Sequence, residues 1–190
     1  MTPESLLGIG VGLALAAAAG FRVFVPLLAL SLAARAGWVE LSPSFAWLGT
    51  MPASIALATA TIVEISAYYV PFFDNLLDTL AAPVAVLAGI VASAALMTDV
   101  PPWLQYTIAI IGAGGTAGAV HASTSLLRLK SSATTGGFGN PVLATLELAG
   151  AVLIAVLALL APLIALGTVV MLIVLIVRRV SARRVARSGV

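Results

Sequence analysis

The sequence predicts an all-α protein that crosses a membrane several times and consists of two related halves. Of its 190 residues, 62% are hydrophobic and only 8% are charged, whereas soluble domains carry roughly 25% charged residues. Two apolar runs exceed the roughly 20 residues that one straight crossing needs, and both are interrupted near their centres. Each half is therefore predicted to contain a broken or re-entrant helix followed by two spanning helices.

The interruptions combine glycine with ionisable side chains. Residues 6–34 contain Gly20-Phe-Arg-Val-Phe-Val-Pro26 at their centre, and glycine and proline both weaken a helix. Residues 103–130 contain Gly112-Ala-Gly-Gly-Thr-Ala-Gly118 and carry His121. Paired broken segments are typical of transport-type membrane folds, in which the binding site lies where the pieces meet.

The two halves follow one plan. A gap-free slide of 98 positions lays the first interrupted run on the second and pairs Gly20 with Gly118. Few residues are identical, so the repeat is a pattern of element types and acid positions. The predicted organisation is one membrane domain over residues 1–190, with a first repeat at 5–100 and a second at 101–178.

Two topologies remain open because each interrupted segment either crosses or returns. If both cross, six spans result and the halves are inverted; if both return as hairpins, four full spans remain and the halves are parallel. The hairpins are favoured because they place Arg35 on one side with Arg128 and Lys130. The polar loop 131–141 and the arginine-rich tail 179–190 are predicted to be cytoplasmic, and both termini with them.

Charged side chains within apolar runs are functional candidates, because an ionisable group costs roughly 3 kcal/mol in hydrocarbon and usually faces the interior. Arg22 is predicted to bind an anionic group together with the amides that a broken helix exposes. The alternative is a structural ion pair of Arg22 with Glu64 or Asp74. The predicted substrate-binding residues are Gly20, Arg22, Gly118, His121 and Ser123.

Three acids are candidates for coupling to protons or cations. Glu64 and Glu147 each stand within an apolar span, where a carboxylate can exchange a proton or, alternatively, form a hydrogen bond between helices. Asp74 precedes Asp78 by one helical turn and could offer oxygen ligands to a cation, although a solvated helix face is the alternative. Tyr68 is interpreted as an interfacial side chain, with substrate contact as the alternative.

Other function classes lack support in the sequence. There is no cysteine and only one histidine, so neither a zinc site nor a disulfide is expected. No phosphate-binding loop and no nucleophile elbow occurs, so we expect no enzyme activity, no metal and no cofactor. The basic tail lacks a folded basic domain, so no nucleic-acid partner is expected.

Three stretches resemble a known family. They are Gly20-Phe-Arg-Val-Phe-Val-Pro-Leu-Leu28, Val63-Glu-Ile-Ser-Ala-Tyr-Tyr-Val-Pro-Phe-Phe-Asp-Asn-Leu-Leu-Asp78 and Gly114-Gly-Thr-Ala-Gly-Ala-Val-His121. The chain from residue 6 to 177 is similar to small bacterial multi-pass membrane proteins known only as a domain of unknown function. A looser likeness, of architecture alone, is to DedA-type membrane proteins, which are linked to lipid-carrier transport. These resemblances imply a bacterial inner-membrane location and no particular substrate.

The sequence thus favours a membrane transporter or facilitator for a small, anionic solute or lipid head group, coupled to protons or cations through the intramembrane acids. The competing hypothesis is a non-transporting membrane scaffold or assembly partner. Small residues around Gly89 and at Gly150 make a homodimer plausible.

Overall fold

The structure is a computed structural model that describes residues 3–69 and 73–161, with the backbone alone at 3 and at 73–79, and six further positions, 164, 167, 171, 174, 175 and 178. Within these residues every regular element is helical. The α-helices are α1 (Pro3–Phe21), α2 (Phe24–Arg35), α3 (Met51–Ala67), α4 (Phe73–Ala95), α5 (Pro102–Thr107), α6 (Gly115–Thr135) and α7 (Asn140–Leu160). A 3₁₀-helix (Pro43–Gly49) precedes α3, and a π-helix (Ile108–Gly114) joins α5 to α6.

The first interrupted run is broken, as predicted, at Arg22 and Val23 between α1 and α2. Pro26 lies within the first turn of α2, a position where its missing N–H removes no helical hydrogen bond. The break therefore lies four residues before the proline, at the arginine.

The α1–α2 segment returns to the end from which it starts. A Cβ added to Gly8 would lie 2.6 Å from the carbonyl oxygen of Leu96, so the early part of α1 lies beside the C-terminal end of α4. After α2, the backbone N–H of Ser42 donates to the carbonyl of Ala95 at 2.8 Å. Of the two arrangements that the sequence leaves open, these contacts favour the hairpin for the first segment.

The second interrupted run is not broken, so the prediction for it is wrong. α5, the π-helix and α6 follow one another without a gap, and Gly114 and Gly115 keep right-handed helical angles. Glycine lowers helix propensity by about 1 kcal/mol relative to alanine, but close packing outweighs that loss. A Cβ on Gly114 would lie 3.1 Å from the side chain of Ile90, and one on Gly118 3.3 Å from Val86.

Small residues let α1 pack closely on α4 and α6. Gly8, Gly12, Ala16 and Gly20 recur every four residues on one face of α1, the spacing that allows close backbone approach between membrane helices. A Cβ on Gly12 would lie 2.7 Å from Ser93 Cα, and α1 therefore packs directly on α4.

The direction of each helix follows from these contacts. α1 runs antiparallel to α4, because Gly12 faces Ser93 whereas Ala16 faces Gly89. α1 runs parallel to the π-helix and α6, because Leu13 approaches Gly112 whereas Gly20 approaches Val120. Gly89 also approaches Ala117, so the small residues that suggested a homodimer on α4 are used inside the bundle.

Exposed tryptophans mark one end of the bundle. Trp38, Trp47 and Trp103 are 68%, 53% and 70% exposed, as in the aromatic belt of a membrane interface. Gln105 Nε2 ties this end together by donating to the carbonyl of Ala94 at 2.7 Å. We call it the tryptophan end.

The turn between α6 and α7 lies at the opposite end. α6 continues to Thr135, and the chain reverses at Gly136 and Gly137, whose φ angles of 63° and 92° are left-handed. The long polar loop predicted at 131–141 is therefore mostly helix, since Thr134 and Thr135 donate to carbonyls of their own helix. The turn and the start of α1 lie at opposite ends of the bundle. The prediction that both are cytoplasmic is therefore wrong, because they cannot lie on the same side. For the same reason Arg35 and Lys130 do not share a side.

Two described helices are long and apolar enough to cross a membrane, namely α1 over Glu4–Phe21 and α7 over Asn140–Leu160. A third crossing results if the 3₁₀-helix and α3, bent by 66°, count as one span. The predicted last span, 163–177, and the basic tail lie almost wholly outside the described residues. The apolar helices are those of a membrane-embedded protein.

Replacing Gly20 by alanine tests the close packing of α1. The new Cβ would lie 2.6 Å from both the Ala117 carbonyl oxygen and Val120 Cβ, and such overpacking costs about 1–3 kcal/mol. We expect a lower melting temperature in detergent. Gly150→Ala is the matched control. A Cβ there meets nothing within 4 Å, and the substitution brings the same gain in helix propensity. Equal melting temperatures for the two variants would contradict this packing.

Candidate functional site

Two arginines, two glutamates and a tyrosine form a buried group at the end of α1 remote from the tryptophan end. Their exposed fractions are 1% for Arg22 and Arg128, 5% for Tyr68, 7% for Glu147 and 8% for Glu64. Ions so far from solvent require partners, because desolvation costs several kcal/mol per ion. We call these five residues the charge cluster.

Arg22 enters the charge cluster from the break after α1. Its backbone N–H still donates to Ala18 at 3.0 Å, which completes the last turn of α1. Its Nη2 donates to the carbonyl of Ala144 at 2.9 Å and lies 3.5 Å from Glu147 Oε2. Among the described residues, Arg22 Nε and Nη1 are buried without a hydrogen-bond partner, and an unmet buried donor costs about 1–3 kcal/mol. The guanidinium of Arg22 thus retains capacity for an acceptor.

Glu147 joins the two arginines. Arg128 Nε donates to Glu147 Oε1 at 3.1 Å, and Arg128 Nη2 donates to Oε2 of the same carboxylate. This two-pronged geometry is the strongest form of arginine–carboxylate contact. The sequence alternatives paired Arg22 with Glu64 or Asp74, whereas its described ionic partner is Glu147.

Arg128 is a site residue that the sequence interpretation missed. It was assigned to the cytoplasmic side with Lys130, yet it is 1% exposed. Its position follows the buried residues Ala117, His121 and Thr124 of α6 at intervals of three and four residues, the spacing of one helical face. That spacing was the available signal.

Glu64 caps the first turn of α2 across the bundle. Its Oε1 accepts the N–H of Val23 at 2.7 Å, and its Oε2 accepts the N–H of Phe24 at 3.1 Å. A helix leaves its first amides unpaired, and a carboxylate there is favoured by the helix dipole. The amides that were predicted to bind a solute anion with Arg22 are therefore held by Glu64.

Tyr68 lies under both arginines rather than at a membrane interface. The guanidinium carbon of Arg22 lies 3.8 Å from the centroid of its ring, and that of Arg128 lies 4.5 Å away. A cation over an aromatic ring gains about 0.5–2 kcal/mol, more when desolvated. Tyr69 is the exposed neighbour, and its hydroxyl hydrogen-bonds Thr145 at 2.8 Å.

The remaining predicted residues have other surroundings. Gly20 and Gly118 serve close helix packing, as described above. His121 is buried on the same face of α6 as Arg128, with Nε2 3.4 Å from Ser125 Oγ. Ser123 donates its hydroxyl to the carbonyl of Ala119 at 2.8 Å, which satisfies it within its own helix. The side chain of Asp74 lies outside the described residues.

An apolar cleft of about 610 Å³ adjoins the charge cluster. It lies between the start of α2, α3 and α4. Glu64 and Tyr68 belong to both the cleft and the charge cluster. The other lining residues are Val23, Phe24, Ala56, Thr59, Ala60, Val63, Ala67, Leu80, Ala81 and Val84. Among the residues that the structure describes, no three His, Asp or Glu side chains converge as metal ligands would.

Glu147→Gln should destabilise the protein, because it leaves two buried guanidinium groups without their shared carboxylate. Breaking a buried ion pair typically costs about 3–5 kcal/mol, measurable as a lower melting temperature in detergent. Glu40→Gln, at an exposed position, is the control. If both variants have the same melting temperature, Glu147 does not stabilise the charge cluster.

Glu64→Ala should loosen the start of α2. Loss of a helix cap costs about 0.5–2 kcal/mol, and the amides of Val23 and Phe24 should exchange with deuterium faster. Glu64→Gln retains one acceptor oxygen and should show an intermediate rate. Unchanged exchange at both amides in Glu64→Ala would show that another group caps this helix.

Comparison with known proteins assigns the chain to a family. A search of curated proteins and of solved structures finds no match to the chain. The family model described as "Domain of unknown function (DUF4126)" matches residues 9–182, which include every residue of the charge cluster. The likeness to DedA-type proteins stays an expectation. The chain therefore belongs to the DUF4126 family.

Proposed function

We propose that this protein transports or facilitates the passage of an anionic group, carried by a small solute or by a lipid head group, across the membrane. Arg22 is its primary binding residue. The observation that carries the proposal is that Arg22 is 1% exposed while two of its donors, Nε and Nη1, find no acceptor among the described residues.

The two arginines are held unequally, which suits an exchange of anions. Arg128 grips Glu147 with two nitrogens, whereas Arg22 lies 3.5 Å from the same carboxylate. An incoming anion can therefore replace Glu147 at Arg22 while Arg128 retains it. The anion would also satisfy the two unmet donors, and charge-assisted hydrogen bonds contribute about 1.5–3 kcal/mol each.

Three acids are candidates for coupling to protons or cations. Within the proposal we prefer Glu147 to Glu64 and Asp74. Glu147 is the acid in contact with both guanidinium groups, so its release from Arg22 would free that arginine for substrate. Glu64 is less suited to coupling, because a Glu64 that left its place would also remove the cap of α2.

A two-half organisation, which the sequence predicts, would suit a transport role. α1 and the second interrupted run pack side by side and in the same direction, with Gly20 facing Ala117 and Val120. The residues that face each other are separated in the sequence by nearly the same 98 positions that separate Gly20 from Gly118. An inner-membrane location with a cytoplasmic basic tail belongs to the same proposal.

A membrane scaffold is the second candidate. It is favoured by the closed contacts of both glutamates, since Glu64 holds backbone amides and Glu147 holds Arg128. In that case the charge cluster only specifies the fold, and no solute crosses.

Flux through proteoliposomes separates the two candidates. We expect vesicles containing the protein to release entrapped inorganic phosphate, or to move fluorescently labelled phosphatidylglycerol between leaflets, faster than empty vesicles. Arg22→Gln should slow whichever flux occurs by roughly 10- to 100-fold, the equivalent of about 1.5–3 kcal/mol.

Arg35→Gln is the matched control, because Arg35 is exposed at the end of α2. Wild-type vesicles that behave like empty vesicles in both arms would overturn transport of these anions and favour the scaffold. Equal flux in wild type and Arg22→Gln would remove Arg22 from the mechanism.

A further inference from the structure

We infer that the apolar cleft between α2, α3 and α4 binds the hydrocarbon chain of an anionic membrane lipid, whose head group reaches Arg22. This inference rests on the proposed function, because it uses Arg22 as the anion site, and it narrows the substrate class to lipids.

The walls of the cleft suit a hydrocarbon chain. Its volume of about 610 Å³ lies within the range of roughly 300–1,000 Å³ that ligand pockets occupy. Its lining is apolar except for Glu64, Tyr68 and Thr59. A free inorganic anion would gain nothing from such walls, whereas a hydrocarbon chain restores the dispersion contacts that an empty cleft lacks.

The rim of the cleft opens on a surface that suits lipid. Val63 and Leu80, on α3 and α4, are 61% and 58% exposed. Ile55 and Ile62 extend this apolar surface along α3 with exposed fractions of 57% and 65%. In a membrane-embedded protein such a surface contacts acyl chains, so a chain can enter the cleft sideways from the bilayer.

The floor of the cleft leads to the cations. Tyr68 lines the cleft, and its ring lies 3.8 Å from the guanidinium of Arg22 and 4.5 Å from that of Arg128. Tyr68 is therefore in contact with both the cleft and the two arginines. The inference places the head group at Tyr68, whose ring contacts the guanidinium of Arg22 with its two unmet donors, Nε and Nη1. The two unmet donors of Arg22 favour a head group with only negative charge over a zwitterionic one.

Photocrosslinking with the full-length protein tests the occupant. The probes are phosphatidylglycerol and phosphatidylcholine that each carry a diazirine in the acyl chain, in vesicles of otherwise equal composition. We expect the phosphatidylglycerol probe to form several-fold more adducts at Ala60, Val63 and Val84 than at Leu126 and Leu129. The two leucines are the control, because they are 63% and 62% exposed on α6 and do not line the cleft.

Two variants sharpen the test. Ala60→Phe fills the cleft and should abolish the excess of adducts there, whereas Leu127→Phe, at an exposed position of α6, should leave it unchanged. Arg22→Gln should reduce the preference for phosphatidylglycerol over phosphatidylcholine to parity while keeping adducts in the cleft.

Three results would overturn the inference: adducts no more frequent in the cleft than on α6, equal labelling by both lipids in wild type, or a preference that survives in Arg22→Gln. Labelling requires no flux, so its outcome is independent of transport. Phosphate release that depends on Arg22 but occurs without cleft adducts would leave the proposed function intact and remove the lipid. Cleft adducts without any flux would support lipid binding and contradict the proposed transport.

Discussion

The carboxylate of Glu64 stabilises the break after α1. In a bilayer every backbone polar group needs an internal partner, because lipid offers none. The turn at Arg22 and Val23 leaves the first amides of α2 without helical acceptors, and Glu64 on α3 accepts two of them. Without this contact the hairpin would leave two amides of α2 unpaired at the point where the chain turns and Arg22 enters the bundle.

The hairpin determines which charges meet. Because α1 ends beside the middle of the long α5–α6 helix, Arg22 lies between α3, α6 and α7. There its partners are the carboxylate of Glu147, the carbonyl of Ala144 and the ring of Tyr68. Arg128 approaches the same carboxylate from α6. Two cations and two anions balance in charge, yet their hydrogen bonding is unequal, and that inequality at Arg22 is the basis of the proposed anion binding.

The cleft and the charge cluster are two parts of one region, joined at Glu64 and Tyr68. An apolar space beside buried cations suits a molecule with an apolar chain and an anionic head, which neither feature would indicate alone. Tyr68 is important in this arrangement because its ring contacts both guanidinium groups while lining the cleft. A small anion needs only the first part, and a neutral lipid only the second.

The sequence by itself determined the membrane class, the all-helical fold, the first break and the family, because composition and local interruptions are properties of neighbouring residues. It also identified Arg22, Glu64 and Glu147, since charges are conspicuous in apolar runs. Only the tertiary structure decided that Gly112 to Gly118 stay helical, because whether glycine breaks a helix or admits a neighbour depends on what packs there. Likewise, the partner of each charge, the burial of Arg128 and the position of Tyr68 depend on contacts between residues far apart in the chain, which spacing along one helix does not specify.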